Sequence, residues 1–362
     1  MKILIYIFSC IFFCCGCNRN VSYINGDMII VEDIKVSDTL MGKKIVFDSI
    51  NSGIISLCDS FAFFYNPRMP DYQYYCFNIN TGKHVCNFFP LGRGNGEFLN
   101  VTPIMQQYFE NGEVKAFFTA INEEKAGIFN ITQSVKQKAT VCDTVFDFKW
   151  RSKYTRPFVY VFKYDEDSFM AHKRGVQLTI EEHKYSLPQF VMINSNTGDI
   201  ERTYHLYNEP ALYNPVAADW NGSFYLSWNL MKPDKSKVAM FMTLLPQINI
   251  LDIGTGALKG IRVVGEPGFE YLKGKVEDLK EYYLFSDVDD KYIYALYAPK
   301  SYTDPKATIN DCMVHVFDWE GNFVYKLYIY EALNQIRVDL KNKVMYGVSF
   351  PTEEVFRYQL PI

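Results

Sequence analysis

The sequence predicts an all-β fold: a six-bladed β-propeller of four-stranded blades, closed by an N-terminal strand. Three observations predict it: a strand-favouring composition, a hairpin unit that recurs six times, and loose ends that fit each other. Aromatic residues fill 17% of 362 positions, with 27 Tyr and 29 Phe, and such residues sit well on a pleated surface. At 48% hydrophobic and 22% charged, the chain is neither disordered nor collagenous. A net charge of −4, from 37 basic and 41 acidic residues, leaves no electrostatic footprint for nucleic acid.

The N-terminus reads as an address. Met1-Lys2 precedes an unbroken apolar or small stretch, residues 3–15, and then Gly16-Cys17-Asn18. A cation followed by a short apolar run matches a secretory signal, and the run falls short of the roughly 20 residues a spanning helix needs. Gly16 directly before Cys17 resembles the lipobox of bacterial lipoproteins, with Cys14 and Cys15 standing where Leu and a small residue are usual. The resemblance implies a signal peptide over residues 1–16 and acyl chains, palmitate among them, on Cys17. Two or more chains make anchoring stable. Asn18 is not the Asp of inner-membrane retention, and no acidic export tag follows. The expectation is an outer-membrane lipoprotein facing the periplasm, with residues 17–27 as tether and 28–362 as propeller. An ordinary cleaved signal is the plainer alternative.

Five cysteines remain in the mature chain: Cys58, Cys76, Cys86, Cys142 and Cys312. An odd number excludes full pairing. Cys76 and Cys86 flank Asn80-Thr81-Gly82 and could face each other across a hairpin; buried thiols acting as small hydrophobes are the favoured reading.

Two kinds of hairpin then alternate. The inner kind has short apolar strands around a polar turn, as at residues 54–57 and 61–65 about Asp59-Ser60. Its turns fall near residues 60, 112, 167, 222, 290 and 342, the fourth at Trp220-Asn221-Gly222. The outer kind turns at Thr81-Gly82, Thr197-Gly198, Thr255-Gly256 and Glu320-Gly321-Asn322, with a degenerate copy at Ile131-Thr132-Gln133. Such residues tolerate positive φ. Four strands per unit and six units at a fixed period are the mark of a propeller. The last unit is one strand short, and residues 28–36 or 44–50 would supply it, removing an open sheet edge. A pair of β-sandwiches is the rival, but no linker marks a boundary. Residues 270–283 suggest a short helix; 179–187 and 232–237 suggest loop insertions.

After the first Thr-Gly hairpin comes Gly92-Arg93-Gly94-Asn95-Gly96-Glu97-Phe98. It resembles the G-x-G-P-G-E-F turn of the TolB-like six-bladed β-propeller lipoproteins of Bacteroides-type bacteria, with Asn95 in place of Pro. A looser copy, Gly265-Glu266-Pro267-Gly268-Phe269-Glu270, follows a later Thr-Gly turn. The turn residues Gly92, Gly94, Gly96, Glu97 and Phe98 carry the resemblance, which implies an envelope-held propeller and transfers no catalytic residue.

No cofactor, metal or catalytic motif stands out. The glycines could suggest a phosphate cradle, but a strand rather than a helix follows. His84, His172, His183, His205 and His315 have no metal-ligand spacing. Asp287-Val288-Asp289-Asp290 lacks the later residues of a calcium loop and reads as a turn. No nucleophile elbow or zincin motif occurs. The leading reading is therefore a non-catalytic binding or scaffolding propeller for an envelope protein or a glycan, with Trp220 and Trp319 as exposed turn aromatics. The alternative is a hydrolase or lyase whose site lies at the mouth of the central channel, built from side chains of several blades.

Overall fold

The computed structural model describes residues 23–49, 52–123, 125–147, 158–173, 189–208, 226–304 and 306–362. Three short strands come first: β1 (Asp27–Val31), β2 (Asp38–Leu40) and β3 (Lys43–Ile45). Blade 1 holds β4 (Ile54–Cys58), β5 (Phe61–Tyr65), β6 (Tyr72–Asn78) and β7 (His84–Pro90). Blade 2 holds β8 (Gln107–Glu110), β9 (Glu113–Ala120), β10 (Lys125–Asn130), the helix α1 (Ile131–Gln137) and β11 (Cys142–Asp147). Blade 3 holds β12 (Phe158–Lys163), β13 (Ser168–Lys173), β14 (Phe190–Asn194) and β15 (Ile200–Tyr204). Blade 4 holds β16 (Ser227–Met231), β17 (Lys237–Met242), β18 (Gln247–Asp252) and β19 (Leu258–Val263). Blade 5 splits its innermost strand into β20 (Lys280–Tyr283) and β21 (Asp287–Val288), then adds β22 (Tyr292–Ser301), β23 (Cys312–Asp318) and β24 (Phe323–Ile329). Blade 6 holds β25 (Gln335–Asp339), β26 (Val344–Ser349) and β27 (Glu354–Gln359).

Each blade is an antiparallel meander, and β3 completes blade 6 by pairing antiparallel with β27, Lys43 opposite Arg357 and Ile45 opposite Val355. This is the expected closure. The two strands before it add something the sequence did not suggest. β1 lies parallel on β19 at the outer edge of blade 4, and β2 lies parallel on β24 at the outer edge of blade 5. The N-terminal segment is thus a belt running over three successive blades. It is already docked at Tyr23, inside the stretch read as tether: Ile24 bridges Tyr207, and Asn25 N–H donates to the Leu206 carbonyl at 2.8 Å.

The outer turns share one device. A side-chain oxygen at the end of the third strand accepts the N–H groups of the turn, from Asn78, Asn194, Asp252 and Asp318 alike. Asx residues favour such turns because the short side chain reaches the backbone two or three residues on. Asn130 holds the same position in blade 2 but accepts from Gln133 N–H as a helix cap, which makes the degenerate copy α1.

Three expectations are corrected. The inner turn of blade 4 lies at residues 232–236, not at Gly222. There Asp234 accepts from Ser236 N–H and Lys235 takes φ +62°, so 232–237 is the turn itself rather than an insertion. Residues 220–222, 179–187, His183 and Cys17 lie outside the described residues. Residues 270–283 form two short 3-10 turns, Phe269–Lys273 and Val276–Asp278, and then β20, with Gly274, a poor helix former, closing the first turn in extended backbone. Trp319 is buried, and its indole N–H donates to the Asp289 carbonyl at 2.9 Å.

The core lies in layers between blades. Phe88, Phe89, Phe98, Phe118 and Phe129 interlock between blades 1 and 2, mostly edge to face, the arrangement ring quadrupoles prefer. Cys76 and Cys86 sit directly opposite across β6 and β7 as free thiols. A hydrogen bond between them raises the Cys76 thiol and lowers that of Cys86.

Candidate binding site at the upper mouth of the channel

The innermost strands of all six blades run the same way around a central channel. We call the face where they begin upper and the face of the inner turns lower. The two halves of the channel differ.

The lower half is a cavity of about 240 Å³, lined by Ser56, Met105, Gln106, Lys235, Asp287 and Arg337 among others. Lys235 lays its ammonium over the Tyr108 ring, while the amides, Arg337 and Asp287 are bound to backbone. Gln106 donates from Nε2 to the Lys163 carbonyl and accepts from Lys163 N–H, both at 2.8 Å, stitching blade 2 to blade 3. Higher in the channel Gln335, the first residue of β25, does the same to Ile55, at 2.7 and 2.9 Å, stitching blade 6 to blade 1. Arg337 donates to the carbonyls of Ile55 and Ser286 and lies 3.7 Å from Asp287. Asp287 accepts from Val338 N–H at 2.7 Å. Burial raises the Asp287 pKa, against the pull of Arg337. Asp289 accepts from the N–H groups of Lys291 and Tyr292 and from the Tyr294 hydroxyl. The acidic run is thus a turn plus one channel carboxylate, and among the described residues no group of three ligands could hold a metal.

The upper half opens into a cavity of about 480 Å³ between blades 3, 4, 5 and 6. Tyr160, Trp228, Phe285 and Phe350 supply its aromatic wall, and Ser227, Thr243 and Asn334 its polar points. Trp228 and Phe285 pack ring on ring with centroids 3.6 Å apart. Among the described residues the rim carries one ion pair, Lys300 to Glu281 at 3.2 Å, whose charges cancel. In the wall stands His172, sandwiched between Phe190 and Tyr160. Its Nδ1 is buried without a hydrogen-bond partner among the described residues. Burial holds its pKa down to about 3, so the imidazole is neutral at any ordinary pH. An aromatic concavity with a few polar points is the usual form of a small-ligand site.

The turn residues read from the sequence are elsewhere. Gly92, Gly94, Gly96, Glu97 and Phe98 form the upper crossover from blade 1 to blade 2. The Glu97 carboxylate accepts from Gly94 N–H at 2.7 Å, occupying an amide that a phosphate cradle would need. A Cβ at Gly92 or Gly94 would run into Glu97, and Gly96 has φ +78°. Phe98 is buried against Phe89 and Phe118. The looser copy occupies the equivalent crossover from blade 4 to blade 5, where Glu266 accepts from the Tyr297 hydroxyl. The motif fastens crossovers and contributes nothing to the cavity.

Sequence reasoning missed both the cavity and the glutamines. One signal was present: Gln73, Gln189 and Gln247 each open a third strand between apolar neighbours. Gln73 holds Phe98 and Val101 of its crossover, Gln189 accepts from Leu206 N–H, and Gln247 receives the Tyr23 hydroxyl. His315, the other neutral buried histidine, is packed among Tyr283, Tyr297 and Phe323 within blade 5.

A belted ring of six blades around a central channel defines a six-bladed β-propeller. The chain matches the family described as TolB-like 6-blade propeller-like over residues 54–341 and belongs to it. Among solved structures it is similar to a member of the DUF4221 family from Bacteroides vulgatus, with TM-score 0.56 and 9% identity over 93% of this chain and 97% of that one. It is also similar to a protein of Bacteroides fragilis inferred to be exported, with TM-score 0.50 and 10% identity over 91% and 98%. At such identity the likeness concerns the fold. No curated protein matches the chain.

Proposed function

We propose that the protein is a lipid-anchored propeller of the bacterial envelope, tethered at the outer membrane through Cys17, that binds an envelope protein or a glycan without catalysis. The observation that carries the binding reading is the upper cavity, aromatic and charge-balanced, with His172 holding an unpartnered nitrogen in its wall. An unpaired buried polar group costs about 1–3 kcal/mol, a cost that a bound hydroxyl or amide would relieve. Support for the envelope comes from the lipobox of the sequence and from the exported description of the Bacteroides fragilis relative. Among the described residues Lys300 and Glu281 at the mouth pair with each other, and Arg337 and Asp287 in the channel are held by backbone, which favours recognition over hydrolysis or elimination.

The test is in-cell crosslinking of tagged, lipidated protein, followed by mass spectrometry, for the wild type and for Trp228→Ala. A partner captured by the wild type and lost in the variant supports the reading. Capture that is indifferent to Trp228 moves binding away from the cavity. Turnover of a captured glycan by purified protein would replace binding with catalysis.

A further inference from the structure

We propose that the outer edge of blades 4 and 5, where the belt runs, is a membrane-contact surface on which the ring rests on its rim. The proposal deepens the lipoprotein reading and rests on it.

Two independent observations lead there. The first is where the described chain begins. Tyr23 is fixed: its ring stacks on Phe269 at 4.4 Å, its hydroxyl donates to Gln247, and its carbonyl accepts from Asn208 N–H. Cys17 is six residues away. A fully extended chain of that length spans only about 20 Å, so a lipid on Cys17 holds the edge of blade 4 close against the bilayer. A tether this short leaves the ring little freedom to turn another side to the membrane.

The second observation is the distribution of exposed apolar side chains. Among the described residues ten large ones are strongly exposed. Three sit on the belt, a small part of the chain: Ile30, Val36 and Met41, with Val46 just past its end. Two more are bonded to it, Val264 through Val31 and Tyr330 through Leu40. Scattered exposed apolar residues need no explanation, but this clustering follows the one segment that leads back to the proposed anchor. Ile30 is 48%, Val36 45% and Met41 73% exposed; Ile30 and Val36 lie on or between blades 4 and 5, and Met41 follows β2 where the belt leaves blade 5. A flat surface touches a convex rim over one or two blades, so Val46, beyond β3, is a built-in control. The part of the belt on blades 4 and 5, residues 27–40, carries Asp27, Glu32, Asp33 and Asp38 against Lys35, with Lys43 and Lys44 beyond it on β3, so the fitting surface is zwitterionic rather than anionic.

The test uses mature chain coupled through Cys17 to a maleimide phospholipid in phosphatidylcholine/phosphatidylethanolamine vesicles, with Cys142→Ser removing the only half-buried competitor thiol among the described cysteines. A benzophenone amino acid is placed at Ile30, Val36 or Met41, and at Val46, Phe109 or Ile200 as controls. Lipid adducts are counted by mass spectrometry after illumination. The expected result is a several-fold excess of adducts at the first three positions, falling as phosphatidylglycerol is added. Equal yields at all six positions, or an excess at Phe109 or Ile200, would overturn the proposal. Separately, intact mass of cell-made protein reports acylation at Cys17. An unacylated Cys17 would remove the lipoprotein reading while the vesicle result still judged the surface.

Discussion

The two mouths of the channel are built from the same innermost strands and do opposite things with their polar atoms. At the lower end Gln106 and Arg337 are saturated by backbone of the neighbouring blades. At the upper end His172 keeps a nitrogen unpaired against an aromatic wall. A buried polar group that is fully bonded stabilises and specifies the packing, whereas one that is not is a standing cost. The difference teaches that the ring is held shut below and kept chemically unsatisfied above.

The largest expected effect breaks the lower end. Arg337→Ala leaves Asp287 buried without its cation and the Ile55 and Ser286 carbonyls with one donor fewer, so stability should fall by about 3–5 kcal/mol in urea unfolding. Ligand capture by the surviving folded fraction should not change; if it does, the two ends are coupled and the comparison fails. Gln335→Ala, at the seam between the last and first blades, comes next, at roughly 2 kcal/mol, since it uncovers the Ile55 N–H and leaves the Ile55 carbonyl to Arg337 alone. An effect below a few tenths would show that water replaces the side chain.

At the upper end the sign reverses. His172→Phe removes an unsatisfied nitrogen and should raise stability by about 1 kcal/mol at neutral pH while weakening capture. Its pH dependence follows from linkage. The folded pKa is depressed to about 3 from 6.5, so the unfolded chain takes up the proton first and the wild type loses stability as pH falls from 6.5 towards 3. The variant should lose less over that window, with His315 supplying the remainder. Chemical denaturation at pH 7 and pH 4.5 measures it. Asp287 works the other way. Its raised pKa means that stability declines as pH climbs past 3.8, and Asp287→Asn should flatten that decline. Smallest of all, Lys300→Gln should cost under 1 kcal/mol, because the pair with Glu281 is partly solvated. It leaves Glu281 uncompensated, so weaker capture of an anionic probe than of a neutral one would confirm that the rim is charge-balanced.

The propeller was legible because its turns depend on local chemistry. Thr-Gly and Asp/Asn pairs dictate positive φ and side-chain acceptance, whatever surrounds them. Blade 4 shows the limit of that logic. Asn221-Gly222 is the stronger hairpin signal in isolation, yet the inner turn uses Pro233-Asp234-Lys235, where β16 and β17 bring Met231 opposite Val238. The belt was half legible. A missing strand in blade 6 announced β3, but nothing in a run such as Asp27–Val31 says that it will lie parallel on a finished blade. The cavity was not legible, since Tyr160, His172, Trp228 and Phe285 meet only through the circular arrangement of blades 3, 4 and 5.

The belt also sets an order of events. Residues 43–45 pair with 355–357, so the segment made first can be locked only by the strand made nearly last. Until the last strands are made the ring must remain an open arc with exposed edges. Pairings this remote in sequence form slowly and are vulnerable to association with other chains. A nascent molecule therefore needs shelter until its final blade arrives, and any truncation near the C-terminus strands the belt as well as the last blade.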